Sequence, residues 1–168
     1  IRKPGYEADD IMGTMGNRAS SEGISTYLVS GDKDLMQLIS DRIMLYTPGN
    51  RFKPTTIYGK SEVEEKWGVA PEKMIEFLAL LGDSSDNIPG VNGIGKKTAA
   101  KLLGEYGDIQ SIQKNIDNIK NKRVREGLLN GSDNLELAIK LVTIDNNVDV
   151  DVDIKKLKRK AMDKETLS

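Results

Sequence analysis

The 168-residue chain contains neither cysteine nor histidine. Without cysteine there is no disulfide framework, no thiolate nucleophile and no sulfur-ligated zinc or iron–sulfur centre. Without histidine the commonest general base, the Ser-His-Asp arrangement and imidazole-bound metals are excluded as well. Any chemistry falls to carboxylates, lysines, hydroxyls and oxygen-bound metal ions. Aromatic residues are scarce, and Trp67, Tyr27 and Phe77 read as core residues rather than platforms for stacked bases. Tyr6, beside an acidic cluster, carries no assigned role. No apolar run approaches the roughly 20 residues of a membrane span, and no signal or transit peptide is visible, so a soluble cytoplasmic protein with no membrane partner is expected. An excess of charge of one sign is also lacking. Lys plus Arg number 25 against 26 Asp plus Glu, so any partner must be read from where the charges lie. There is no initiator Met, and Ile1-Arg-Lys-Pro reads as a point inside a longer protein.

The stretch 80–103 organises what is present. Its first half places Asp83 and Asp86 three residues apart where an apolar helix runs out, an arrangement suited to a hard divalent cation. Its second half is a glycine-punctuated hairpin, Gly90-Val-Asn-Gly93-Ile-Gly95, feeding a helix that opens with Lys96 and Lys97. That half suits a phosphodiester backbone.

Pro4-Gly5 predicts a turn, after which Ala8, Ile11, Met12, Met15 and Ala19 form one apolar helical stripe. Gly13 and Gly16 weaken this helix by about 1 kcal/mol each, so tertiary packing must hold it. Residues 24–29 and 43–46 read as strands, with a short helix around Leu35, Leu38 and Ile39 between them and a third strand at 55–58. Alternating helices and strands predict an α/β layer with a parallel sheet, but one too small to be an independent core. From Lys60 the pattern turns helical. Ser61 with Glu64 suggests a capping box, Val63 and Trp67 share a face, and Pro71 opens a helix carrying Met74, Ile75, Leu78 and Leu81. Further helices are expected over 98–103, 109–116, around Val124, Leu128 and Leu129, and from 131 with Leu135, Ala138, Ile139 and Val142 on one side. The tail 155–160 is strongly basic, and the last residues read as a fraying end. The predicted division is α/β core over 1–88 and all-α over 89–168.

Seven carboxylates fall in three clusters: Glu7, Asp9 and Asp10; Asp32 and Asp34; Asp83 and Asp86. Glu7 and Asp10 are neighbours on one helical face, and Asp32 and Asp34 follow a strand, at the sheet edge where open α/β sheets hold ligands. Alone, each cluster is more often a solvated helix start, a cap or a polar turn. Jointly, each at an element end, they suggest a shared site. Many like charges are costly together unless cations neutralise them. Two Mg²⁺ ions roughly 3.5–4 Å apart are able to activate water and stabilise the leaving oxygen of a phosphodiester without a histidine. The run Val148-Asp-Val-Asp-Val-Asp153 lacks the glycine and terminal glutamate of a calcium loop and reads as an exposed extended segment.

Between 89 and 125 eight basic residues stand against three acids, an excess hidden by the neutral total. Gly90, Gly93 and Gly95 let a backbone approach closely, Ile94 anchors the hairpin, and the next helix offers N–H groups and partial positive charge to an anion. Lys96, Lys97, Thr98 and Lys101 are the candidate phosphate contacts, which position a nucleic acid without reading its sequence. A Gly-rich connection with a solvated lysine face is the plainer alternative. A nucleotide P-loop is excluded, because its Gly-x-x-x-x-Gly-Lys-Ser/Thr pattern does not follow a strand here.

Taken together, Pro4-Gly-Tyr-Glu-Ala-Asp-Asp10, Val29-Ser-Gly-Asp-Lys-Asp-Leu-Met-Gln-Leu38 and the run 82–103 resemble the 5′ nuclease (5′–3′ exonuclease, flap endonuclease) family, most closely its branch at the N-terminus of bacterial DNA polymerase I. The resemblance covers essentially the whole chain. It implies a truncated, parallel-sheet, PIN-like nuclease core followed by an all-α helix-hairpin-helix subdomain. It also implies a metal-dependent enzyme of DNA replication and repair that cuts DNA at 5′ flaps, nicks or duplex ends. Glu7, Asp9, Asp10, Asp32, Asp34, Asp83 and Asp86 would hold or organise two Mg²⁺ or Mn²⁺ ions, with Asp10, Asp34 and Asp83 as catalytic residues. The hairpin at Gly90, Gly93 and Gly95 would grip duplex DNA, with K⁺ bound there. A polymerase domain in the same polypeptide and a location at the bacterial nucleoid are further implications. Family members begin with a strand bearing another metal-binding Asp and with a basic helical arch, neither of which this chain contains. A non-catalytic, structure-specific DNA-binding module is the alternative, and a small-molecule phosphatase leaves the basic half unexplained.

Overall fold

The computed structural model describes residues 1–158. The basic tail predicted over 155–160 therefore lies partly outside the described residues, and the fraying end wholly so.

Helix α1 (Ala8–Ser21) leads into strand β1 (Thr26–Val29), a 3₁₀ turn (Asp34–Leu38) and strand β2 (Ile43–Thr47). Strand β3 (Thr56–Tyr58) completes a three-stranded sheet of order β1-β2-β3. β1 and β2 are parallel, with Thr26 opposite Ile43, as the alternating pattern predicts. β3 instead runs antiparallel to β2, pairing Leu45 with Tyr58. The connection from β2 to β3 is short, and only a long crossover returns a strand in parallel.

The two α1 glycines sit where the helix presses on its neighbours. A side chain at Gly13 would meet Ile144 and Leu38, and one at Gly16 would meet Leu28. Thr14, the buried polar residue of this helix, accepts the Val148 N–H at 2.9 Å. Arg18 donates to the Val148 and Val150 carbonyls, at 3.0 and 2.6 Å. This corrects the reading of 148–153 as an exposed segment: Val148 and Val150 are buried and the intervening aspartates face water. Alternation alone does not reveal that α1 supplies a partner for the valines. Tyr27 is a second correction. It lies exposed on β1, away from the core formed by Phe77 and its neighbours.

Helices α2 (Lys60–Trp67) and α3 (Met74–Leu81) come next, with a 3₁₀ turn (Pro71–Lys73) between them. The α2 cap lies two residues before the predicted one. Glu62, not Glu64, reaches back to accept the Gly59 N–H at 2.9 Å. Helix α3 is apolar nearly all round, with Met74, Phe77, Leu78, Ala79 and Leu80 buried, which is the pattern of a central helix. It packs against the Asp34–Leu38 turn and against the first and last of the four C-terminal helices. Those four are α4 (Lys96–Tyr106), α5 (Ile109–Lys114), α6 (Lys122–Asn130) and α7 (Ser132–Val142). The apolar core runs unbroken from Leu28 through α3 to Ile144. The C-terminal end of α3, held within this core, is thus a firm base for the stretch 82–95 that leaves it.

Candidate metal centre and hairpin

Two glycines shape the end of α3. Gly82 has φ +75°, and a side chain there would collide with the Gly90 backbone, just as one at Gly90 would collide with the Leu81 carbonyl. Leucine-rich helix and hairpin therefore touch backbone to backbone. Between the two glycines, residues 83–88 close into a loop pinned by paired bonds, Asp83 N–H to the Ile88 carbonyl at 2.9 Å and the reverse at 2.7 Å. Asn87 accommodates the turn at φ 55°, a conformation asparagine tolerates better than most residues.

The loop presents its acids to the end of β1. Asp34, Asp83 and Asp86 each bring a carboxylate oxygen within 4.8 Å of the others. Both ends of the cluster are locally fixed. Asp83 Oδ1 accepts the Ser85 N–H at 2.8 Å, and Asp32 Oδ1 accepts the Asp34 N–H at 2.9 Å. A cleft of about 370 Å³, lined by Gly31, Asp32, Lys33, Asp83, Ser85 and Asp86, opens beside them.

The electrostatics of the cluster are unbalanced. Burial, opposed by Lys33 and reinforced by the charges of Asp32, Asp83 and Asp86, pushes the Asp34 carboxyl from 3.8 up to about 6. Its Oδ1 is buried without a hydrogen-bond partner. Asp83 goes the other way, its carboxyl held below the usual range chiefly by a hydrogen bond from Lys33. That lysine forms an ion pair with Asp83 Oδ2 and lies 3.7 Å from Asp34 Oδ1. Burial works against its charge, yet the surrounding carboxylates hold its pKa above the ordinary value. The residues fit a hard cation: an oxygen-only donor set, one buried oxygen without a partner, and a positive group already drawn into the cluster.

The first acidic cluster adjoins this one. Burial and the charges of Asp32, Glu7 and Asp10 raise the Asp9 carboxyl. Asp32 thus acts electrostatically on both Asp9 and Asp34. Among the described residues, Glu7, Asp9, Asp10 and Asp32 do not join the tight group of three. Asp10 spends both oxygens on backbone, Oδ2 accepting the Glu7 N–H at 3.0 Å and Oδ1 the Asp145 N–H at 2.9 Å. It closes the start of α1 and ties it to the segment after α7. Lys33 is the residue that sequence reading passed over. Its only signal was its place between Asp32 and Asp34.

The hairpin is anchored by apolar residues. Val91 and Ile94 are buried, Val91 N–H reaches the Leu80 carbonyl at 2.9 Å, and Gly93 turns at φ +84° against Arg123. Around Gly95 there is open space where a side chain would project, and the first turn of α4 begins there. The lysines diverge. Lys96 turns back to the Lys66 carbonyl and lies 4.7 Å from the Trp67 ring centroid. Lys97, Thr98 and Lys101 instead line a groove of about 450 Å³ with Lys120, Asn118 and Asn121.

Two family models match successive parts of the chain. A family model described as 5′–3′ exonuclease, N-terminal resolvase-like domain, matches residues 1–68. One described as 5′–3′ exonuclease, C-terminal SAM fold, matches residues 69–165. The chain is 44% identical over 154 residues to DNA polymerase I of Rhizobium leguminosarum, covering 92% of this chain and 15% of that protein. It is 40% identical over 167 residues to the thermostable DNA polymerase I of Thermus filiformis, covering 99% and 19%. Among solved structures, bacteriophage T5 5′-exonuclease with bound divalent metal ions (zinc) superposes with TM-score 0.72 at 27% identity, covering 86% of this chain and 52% of that one. The catalytic core of Rad2 in complex with a DNA substrate shares the fold, with TM-score 0.56 at 16% identity over 80% of this chain and 49% of that one. The chain spans about a fifth of the length of the Thermus polymerase and about half that of the T5 enzyme.

Proposed function

The chain belongs to the 5′–3′ exonuclease family, and from that premise we propose that it is part of a divalent-metal-dependent nuclease hydrolysing DNA phosphodiesters at 5′ flaps, nicks or ends. The carrying observation is the convergence of Asp34, Asp83 and Asp86, drawn from two distant stretches of sequence, to within 4.8 Å of one another. A T5 flap endonuclease has been solved in complex with DNA and metal ions, which supports extending both partners to this chain.

Asp34, Asp83 and Asp86 would hold one ion; Glu7, Asp9 and Asp32, with Asp10 organising them, would serve a second. When bound, Mg²⁺ or Mn²⁺ supplies Lewis-acid activation of water and charge stabilisation at the leaving oxygen. The chain's own contribution is placement. The Gly82–Gly90 contact fixes the acidic loop relative to the hairpin, so a duplex gripped at Gly93, Gly95 and the first turn of α4 lies in fixed register with the carboxylates. Lys97, Thr98 and Lys101 offer phosphate contacts from the groove, while Lys96 serves mainly to seat α4 on Trp67. K⁺ at the hairpin belongs to the same reading, as does a polymerase domain in the same polypeptide, supported by the polymerase relatives. The division of labour is a catalytic region over 1–88 and a DNA-gripping region over 89–168.

Replacing Asp83 and Asp86 by Asn in the full-length protein is expected to abolish cleavage of a 5′-flap substrate while DNA binding persists. Cleavage retained at the unmodified rate would defeat the assignment and favour a non-catalytic DNA-binding module.

A further inference from the structure

Among the described residues, Lys33 is the cation paired within the acidic cluster, and its surroundings make it more than a surface ion pair. Its side chain is 31% exposed, against 9% for Asp83 and 16% for Asp34, so the pair is largely withdrawn from solvent. Asp83 is held through Oδ1 by the Ser85 N–H, independently of Lys33. Its Oδ2 has Lys33 as its partner. Removing the ammonium therefore leaves the carboxylate in place with one oxygen free to take another cation.

We propose that Lys33 is a built-in counter-cation, seated on Asp83 while the cleft is metal-free and displaced when a divalent ion binds Asp34, Asp83 and Asp86. The inference rests on the reading of those three residues as metal ligands. Mg²⁺ takes carboxylate oxygens at about 2.0–2.1 Å, so one bound at Asp83 Oδ2 would compete with the present ammonium for that oxygen and lie within a few ångström of it. Two cations at that separation repel strongly in a partly buried site. Lysine is suited to leave: it is a compact charge on a flexible four-carbon stem, and it lines a cleft open to water. Arginine, with its planar fork, would hold two carboxylates more rigidly.

The exchange has two consequences. Metal-free, the cluster is spared part of its self-repulsion, which stabilises the fold when divalent ions are scarce. Metal-bound, the free energy of the displaced ion pair is subtracted from affinity, which raises the ion concentration at which the site fills. Both arise from one contact.

The test is a Mn²⁺ titration of the full-length protein, reading free Mn²⁺ by electron paramagnetic resonance, together with thermal unfolding with and without Mn²⁺. Lys33→Gln is expected to tighten binding about tenfold, equivalent to about 1.4 kcal/mol of displaced pairing. Its metal-free form should melt lower than wild type and gain more on adding Mn²⁺. Lys33→Arg, which keeps the charge, should stay closer to wild type than to Lys33→Gln. Unchanged or weaker Mn²⁺ affinity in Lys33→Gln, with wild-type binding that Asp83→Asn removes, would overturn the inference and leave the metal-site reading intact. Wild-type protein without any Asp83-dependent Mn²⁺ binding would overturn both.

Discussion

The acidic loop at 83–88 and the hairpin at 90–95 leave the same end of α3 and are stabilised in opposite ways. The hairpin is satisfied: Val91 and Ile94 are buried, and its turn is closed by backbone bonds and a left-handed glycine. The loop is not. It gathers like charges, leaves a buried Asp34 oxygen without a hydrogen-bond partner and raises that carboxyl to about 6. Apolar anchoring gives a rigid platform that needs nothing further. Charge crowding gives a platform with unspent capacity to accept a positive partner. Adjacent elements on one helix thus divide into a part that holds and a part that, on the proposed reading, would take a cation.

Breaking the junction that they share should have the largest effect. Gly90→Ala drives a methyl group into the Leu81 carbonyl, and the expected loss is about 3–5 kcal/mol in urea unfolding. A loss under about 1 kcal/mol would mean that loop and hairpin are not coupled through this contact.

The loop's imbalance is sharpened by Asp34→Asn in chelator-treated protein. The native state holds the Asp34 proton up to about pH 6, against 3.8 for the ordinary group. The folded chain therefore binds more protons across that window, and this residue's contribution to stability falls as pH rises through it. Above pH 6 the ionised carboxylate destabilises the fold in full. Asn should then stabilise the metal-free protein by about 1–2 kcal/mol, a figure reduced for partial solvent screening. The gain should vanish as pH falls towards 4, measured by denaturant midpoints. A gain that grows on acidification would contradict the assigned imbalance.

The smallest effect separates the lysines of α4. Lys97→Ala with Lys101→Ala should lower the slope of log affinity against log salt by about 1.8 for duplex DNA, near 0.9 per phosphate contact. Lys96→Ala should leave that slope nearly unchanged and mainly lower the melting temperature, since Lys96 is committed to Lys66 and Trp67. Equal slopes for the two variants would erase the distinction.

Much of this was legible beforehand because it rests on local chemistry. Periodicity placed α1, α3 and α7, the β1–β2 pair came from alternation, and the spacing of Asp83 and Asp86 at a helix end marked the cleft. Tertiary partners were not legible. Nothing around Val148 announces that Thr14 and Arg18 will hold its backbone, and nothing near Tyr27 says that its face of β1 is exposed. Composition likewise gave Lys96 and Lys97 equal standing, whereas one faces an indole and the other a groove. Asp10 read as one acid among seven, and only the fold shows both its oxygens bound to backbone.

The most direct measurement is anomalous diffraction from crystals of the full-length protein soaked in Mn²⁺. The account predicts a peak coordinated by Asp34, Asp83 and Asp86, with the Lys33 ammonium moved away from Asp83. Manganese bound only elsewhere, with Lys33 still seated on Asp83, would contradict it.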